Sequence, residues 1–443
     1  MKLKSDSNYA RGAVPLSERK PTLALISFLS GLYNTLPVYA LASAVILGLG
    51  LVQGALAIAA GMTITVILSS ITAHIGATTG LTTYNINIHT FGRRGSVLVN
   101  FIINIAAIGW FGLTLGFFAM ALDAAMRFAF GVEIPLPVYT VLAGVGMTFT
   151  VLYGFNAMDG LNRIAIPLLA LFLAWVAYET ISVTSLSQVW SFAGAPDALP
   201  GGPGANVTTF LAGVTATVGL ASASASGMPD VMRFARSGRG AITAIIVTLL
   251  VLAPIFMTFS AMPVIITGEG DFIANLLSLE LGLAAVVIVI LATWTTNIVN
   301  VYAGSLSMAR LIPKLKDVHA TLICGVLGVA IALSGITNHF LTFFLLLGVT
   351  FPPIAGVYVA HYFLEWRRTG GEFRIEQIEA LNIRAIIAWI AGSGVAYATQ
   401  FTGFLTLTNV SAVDGVIVAG LVFTLLFLLS KQRSAASSPQ AKP

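Results

Sequence analysis

Residues 26–39 read ISFLSGLYNTLPVY. Gly31, Asn34, Thr35 and Pro37 interrupt an otherwise apolar run near its middle. Pro37 removes one backbone donor and frees a carbonyl one turn earlier. At membrane depth such a break is tolerated only beside a cavity or inside protein, because an unsatisfied backbone group in hydrocarbon costs several kcal/mol. A second stretch, residues 218–234, reads VGLASASASGMPDVMRF, with Gly219, Ser222, Ser224, Ser226, Gly227 and Pro229. It is a poor straight, lipid-facing helix. Discontinuous helices at corresponding places in two halves of a chain point to a transport site near the midplane. Small residues also serve close helix packing, and for either stretch alone that reading stays open.

Bulk chemistry supports a membrane setting. Of 443 residues, 57% are hydrophobic and only 9% charged, with mean hydropathy +0.93. A soluble domain is roughly 25% charged, so this chain needs lipid as a solvent. Cys324 is the single cysteine, which excludes a disulfide framework. Met1 to Lys20 is polar and basic without an apolar core, so the run from Leu23 is expected to remain as a span. Spans of about 20 apolar residues are expected near 23–46, 52–75, 97–126, 137–155, 162–183, 207–230, 240–265, 277–307, 318–336, 339–363, 382–401 and 411–430. The fold class is therefore an all-α polytopic membrane protein of about twelve transmembrane helices.

Lys and Arg give the orientation. With the N-terminus inside, 21 of the 22 basic residues fall on inner segments and Arg127 alone falls outside. The net charge of +5 thus belongs to short inner loops and does not point to nucleic acid. Both termini are expected in the cytoplasm, with 1–22 and 431–443 as tails around a transporter domain at 23–430, in the inner (plasma) membrane. The outer loop near 184–206 reads as Pro/Gly punctuation. The charged stretch 365–384 is expected to lie along the membrane surface.

Residues 291–307 read LATWTTNIVNVYAGSLS. Ala292, Thr295 and Thr296 share a helical face at i, i+3 and i+4. Two hydroxyls and one carbonyl, with carbonyls freed near Gly31 and Asn34, supply five hard oxygens suited to sodium. Threonines that bond back to their own helix would leave the same pattern. The spans hold no His/Asp/Glu chain of the kind proton pumps use, which favours sodium over protons. His74, His339 and His361 do not pair at metal-ligand spacing. Asp230, beside Arg233, is a candidate gate residue at the inner mouth. There is no catalytic cluster for an enzyme and no repeated filter for a channel.

Several motifs carry a family resemblance. They are GAVPLSERKP (12–21), GATTGLTTYNINIHTFGRRGS (76–96), GWFGLTLGFFA (109–119), PDVMRFARSGR (229–239), TWTTN (293–297) and FPPIAGVYVAHYFLEWRR (351–368). In order and spacing the chain resembles the nucleobase–cation symporter (purine/cytosine permease) family, nearest its cytosine-permease branch. The resemblance implies an inverted five-plus-five helix repeat with broken helices 1 and 6 and two extra C-terminal helices. The corresponding bounds are about 23–183, 207–363 and 382–430. It implies alternating access and sodium coupling, with the cation on Gly31, Asn34, Ala292, Thr295 and Thr296. It also implies a planar substrate stacked on Trp110, within reach of Thr35, Ala221, Ser222, Ser224 and Asn297.

The departures bear on the cargo. Cytosine permeases carry Gln three residues before the platform Trp, where this chain has Ala107. The second stacking aromatic falls on Ala221, and an aromatic near the first break falls on Thr35. A roomier, hydroxyl-rich pocket is expected, suited to a substituted nucleobase, hydantoin or ureide. The partners expected are that small heterocycle, sodium and the bilayer, with no cofactor and no obligate protein partner. The rival reading is a proton-coupled amine or amino-acid carrier on the same fold.

Overall fold

The computed structural model describes residues 12–153, 158–198, 207–277, 279, 282–312, 314–367 and 378–437. Among them the chain is helical, with one isolated bridge between Lys20 and Ala235. The first half comprises α1 (Thr22–Leu32), α2 (Leu36–Leu49), α3 (Leu51–Thr79), α4 (Thr83–Phe130), α5 (Leu136–Tyr153), α6 (Met158–Val183) and the short α7 (Leu186–Ser191). The second half runs through α8 (Phe210–Ser226), α9 (Pro229–Met232), α10 (Gly238–Ile245), α11 (Ala253–Ala261), α12 (Val264–Thr267), α13 (Phe272–Leu277), α14 (Gly282–Leu311), α15 (Asp317–Leu333) and α16 (Phe340–His361). The last two helices are α17 (Ile383–Thr402) and α18 (Ser411–Ser437), packed against each other and both against α16; α18 runs on to Ser437, into the tail at 431–443 whose composition reads as disordered.

Six helical stretches among the described residues are long and apolar enough to cross a membrane, and the pair α1–α2, bent by 66°, makes a seventh. Three shorter apolar helices lie within α5, α6 and α15. The largest core cluster joins α1, α2, α3, α8, α10, α11 and α16 around Leu29, Leu41, Met62, Ala221 and Phe344. It sets the two helix breaks inside protein.

The segment 76–96 departs from the inner loop expected of it. Most of it is helix. The Thr82 hydroxyl accepts from the Asn85 N–H (3.2 Å) and starts α4 at Thr83. Gly92 then turns the helix at φ 82°, ψ 166°, a region that glycine enters without a Cβ penalty. The turn exposes new N–H groups at Arg93 and Arg94. The carbonyls of Glu379 (3.0 Å) and Ala380 (2.7 Å) accept them, and the Asn382 N–H returns a bond to Phe91 (3.0 Å). The inner end of the expected surface stretch is thus wedged into the α4 kink, while 368–377 lies outside the described residues.

The loop expected near 184–206 is, over residues 184–198, more ordered than its composition predicts, while 199–206 lies outside the described residues. α7 forms, and Ala195 N–H donates to Leu47 at the corner between α2 and α3 (2.6 Å). The expected eighth span, near 277–307, falls almost wholly on α14, and the short α13 precedes it. In the first turn of α18, Asp414 is fully buried. It accepts from the Thr399 hydroxyl (3.0 Å), Leu407 N–H (3.0 Å), Thr408 N–H (2.8 Å) and Thr408 hydroxyl (2.6 Å). Removing a buried acceptor strands its donors, so Asp414→Ala is expected to cost about 3 kcal/mol. A melting temperature equal to wild type would show that the loop between α17 and α18 is not held by the carboxylate.

Candidate functional site

The first break is built from its own side chains. α1 ends as the Tyr33 N–H reaches Leu29 and the Asn34 N–H reaches Gly31 (both 3.3 Å). The Asn34 amide donates to the Ser30 carbonyl (2.7 Å) and accepts from the Tyr39 hydroxyl (3.0 Å). Thr35 is extended, and its carbonyl takes the N–H groups of Val38 (3.0 Å) and Tyr39 (3.1 Å) to start α2. Pro37 sits in that first turn, where its missing donor is not needed. Tyr33, Asn34 and Thr35 are all buried. The Gly31 carbonyl is turned toward the N–H groups of the break, accepting from Asn34 (3.3 Å) and from Tyr33.

The second break follows α8. Gly227 closes the helix with its N–H on Ala223 (2.9 Å), and Pro229 begins α9. The Ser222 hydroxyl bonds back to Val218 (2.6 Å) and faces Gly348 of α16, so it serves helix packing. The Ser224 hydroxyl bonds to the Ala221 carbonyl (2.8 Å) and lies 2.6 Å from the Tyr33 hydroxyl. The two breaks, 191 residues apart, are therefore joined by a hydrogen bond. Tyr33 was not among the residues expected in the site. Its place between Gly31 and Asn34 was the available signal.

Trp110 is half-buried on α4, one turn after Ala107. Its ring stacks on Phe344 of α16, with centroids 5.3 Å apart and planes at 29°. Phe343 meets it edge-on at 5.9 Å. Ala221 is wholly buried and offers no ring. α16 can lie close because α8 is narrow there. A Cβ added to Gly219 would sit 2.6 Å from the Phe344 carbonyl oxygen, and one on Gly348 would sit 3.2 Å from the Gly219 Cα. An aromatic wall thus reaches Trp110 from α16, not from α8. Phe340, Phe343 and Phe344, spaced i, i+3 and i+4, were its sequence signal.

α1 touches α14. Thr296 is buried. Ala292 and Thr295 lie on helical backbone, but their side chains are outside the described residues. Asn297 is fully buried and turned elsewhere. Its amide donates to the Phe111 carbonyl and to the Met147 sulfur (both 3.3 Å) and accepts from Asn300 (3.2 Å). It ties α4, α5 and α14 together, and the geometry does not place it at the edge of a ring on Trp110.

A cavity of about 360 Å³ lies beside the loops that precede α13 and α16, lined by Leu36, Ala40, Phe117, Phe272, His339 and Phe340 among others. Its Phe117 and Phe340 meet edge-on at 5.7 Å, and Phe340 contacts Phe344 at 5.8 Å. Aromatic layers therefore separate this vestibule from Trp110. At the opposite end the motif GAVPLSERKP lies across α3 and the chain after α9. The Arg19 guanidinium donates to the carbonyls of Val14, Ala77 and Ala235, and the Lys20 N–H donates to Phe234 (2.6 Å). The Asp230 carboxylate accepts from the Thr83 N–H (3.0 Å) and so holds the start of α4.

Comparison with known proteins agrees with this architecture. The profile of a family described as permeases for cytosine/purines, uracil, thiamine and allantoin matches residues 13–422. Cytosine permease of Escherichia coli (strain K12) is 28% identical over 393 residues, covering 88% of this chain and 89% of the relative. Hydantoin permease of Microbacterium maritypicum is 25% identical over 411 residues, covering 87% and 80%. Among solved structures, Mhp1, a nucleobase-cation-symport-1 family transporter, superposes in a closed conformation with bromovinylhydantoin bound (TM-score 0.80, 21% identity, 96% of each chain). Its inward-facing conformation superposes with TM-score 0.82 at 21% identity, over 97% of this chain and 96% of that one. At that identity the likeness concerns the fold. With its family profile spanning nearly the whole chain and its apolar helices, the protein belongs to the cytosine/purine permease family of multi-pass membrane transporters.

Proposed function

We propose that the chain is a secondary transporter that imports a small planar nitrogen heterocycle with sodium by alternating access. The reading includes twelve spans in an inverted five-plus-five arrangement plus two, cytoplasmic termini and a place in the cell's inner (plasma) membrane. The observation that carries it is the meeting of both helix breaks, at Tyr33 and Ser224, in the core cluster against which Trp110 packs. Sodium is held by carbonyl oxygens of Gly31 and Asn34 with Ala292, Thr295 and Thr296, drawing α1 onto α14. The heterocycle enters through the aromatic layers, displaces Phe344 from the Trp110 face and stacks there. The first and sixth spans, with their partners, then rock to open the site inward.

Family membership and the bound hydantoin of the structural relative support the substrate class. Phe344 in place of an aromatic at position 221 supports a pocket shaped differently from that of a cytosine permease. The test is thermal stabilisation of the purified protein by a panel of nucleobases, hydantoins and ureides, in sodium and in choline. A ligand that binds the folded state alone raises the melting temperature by mass action. A shift by at least one heterocycle, larger in sodium, is expected. Equal shifts in choline would exclude sodium coupling. Shifts by amines or amino acids alone would exclude the cargo.

A further inference from the structure

The hydrogen bond between the breaks has a direction. Ser224 has one hydroxyl proton and directs it to the Ala221 carbonyl at 2.8 Å. The Tyr33 hydroxyl, 2.6 Å away, is then the donor to Ser224. The result is a relay from Tyr33 through Ser224 to the backbone of Ala221. At one end, Tyr33 lies between Gly31 and Asn34, the two residues of the first break whose carbonyls face the proposed cation. At the other end, Ala221 lies in the turn of α8 that follows Gly219, where α8 meets the backbone of Phe344. Phe344 in turn covers Trp110.

The rest of the first break is rigidly committed. Asn34 is bonded at both ends of its amide, to Ser30 and to Tyr39, and Thr35 is fixed as the start of α2. A displacement of the Gly31–Asn34 backbone therefore carries Tyr33 with it. The tyrosine is buried, only 4% exposed, and Ser224 is half-buried, so parting the pair takes the Tyr33 hydroxyl from its described partner. Either the relay moves as a unit or a buried hydroxyl loses its partner.

We propose that Tyr33 is a positioning residue that couples cation binding to heterocycle binding, by passing the set of the first break to α8 and from there to the Phe344–Trp110 wall. The proposal rests on the sodium–heterocycle reading above. Coupling between two binding sites is reciprocal, so the relay acts in both directions. It contributes to the ratio of affinities measured with and without sodium.

The experiment uses the purified full chain, with cytosine and hydantoin as probes, taking whichever stabilises the wild type. Its dissociation constant is measured in saturating sodium and in choline, for wild type, Tyr33→Phe, Ser224→Ala, Ser224→Thr and the double variant Tyr33→Phe/Ser224→Ala. The wild-type ratio is expected to fall about three- to ten-fold in Tyr33→Phe, as for loss of one buried hydrogen bond. Ser224→Thr keeps the hydroxyl and is expected to keep the ratio. The double variant is expected to lose no more than the larger single loss, because both substitutions cut the same relay. If Tyr33→Phe does not fold, the ratio in Ser224→Ala against Ser224→Thr decides the matter alone.

Weakening that is equal in sodium and choline would mean that Tyr33 only supports the fold, and would overturn the proposal. Additive losses in the double variant would do the same. A wild type indifferent to sodium would overturn the sodium reading and the relay together. A wild-type sodium effect that survives intact in Tyr33→Phe would overturn the relay alone.

Discussion

Trp110→Ala is expected to weaken binding of the transported heterocycle by about five- to a hundred-fold, since stacking of a flat ring on an aromatic side chain is worth about 1–3 kcal/mol and each 1.4 kcal/mol is about tenfold. The ring is half-buried and held between two phenylalanines, so its removal also frees Phe344 to tilt. Trp110→Phe keeps a smaller face and should recover part of the affinity. Equilibrium binding of a radiolabelled heterocycle to purified protein reads both effects. Wild-type affinity in Trp110→Ala would place the substrate away from α4. It would leave the fold intact but remove the ring-stacking site.

Gly219→Val is expected to abolish uptake by a chain that still reaches the membrane. The first added carbon would stand 2.6 Å from the Phe344 carbonyl oxygen, and that neighbour is backbone, with no rotamer to yield. Overpacking of this kind costs about 1–3 kcal/mol, and the relief available is a shift of α16 away from α8. Such a shift takes Phe344 off Trp110. Gly394→Ala is the matched control, because nothing lies within 4 Å of a Cβ there. The two variants are compared by melting temperature and by initial uptake rate. Wild-type uptake in Gly219→Val would mean that the contact of α8 with α16 does not set the pocket wall.

Much of the fold was legible because lipid makes a simple demand on sequence. Apolar runs marked helices, and Gly31–Pro37 and Gly219–Pro229 marked breaks that the structure places inside its core. The site was legible in its parts but less so in its pairings. The family resemblance pointed to Trp110, Thr35 and Ser224, while the bond from Tyr33 to Ser224 joins positions far apart in sequence. The turn at Gly92 was missed because its satisfaction comes from Glu379 and Ala380, on a segment with no local signature. Asn297 stood beside the threonines in sequence, but one helical residue rotates a side chain by about 100°. That rotation sends it to Phe111 and Met147. Phe344 escaped notice because a lid was sought on α8, while the small residues of α8 admit one from α16.

The wedge of Glu379–Asn382 in the α4 kink has a consequence for how the protein is made. α4 carries Trp110 and is synthesised early, yet the carbonyls that receive its Arg93 and Arg94 N–H groups emerge only when most of the chain has been translated. Until then the nascent helix holds open donors at its bend, and the scaffold of the site is unfinished. Closure of that bend therefore waits for the segment just ahead of α17, and a ribosome that stops before residue 379 releases a chain whose α4 has not been locked at Gly92.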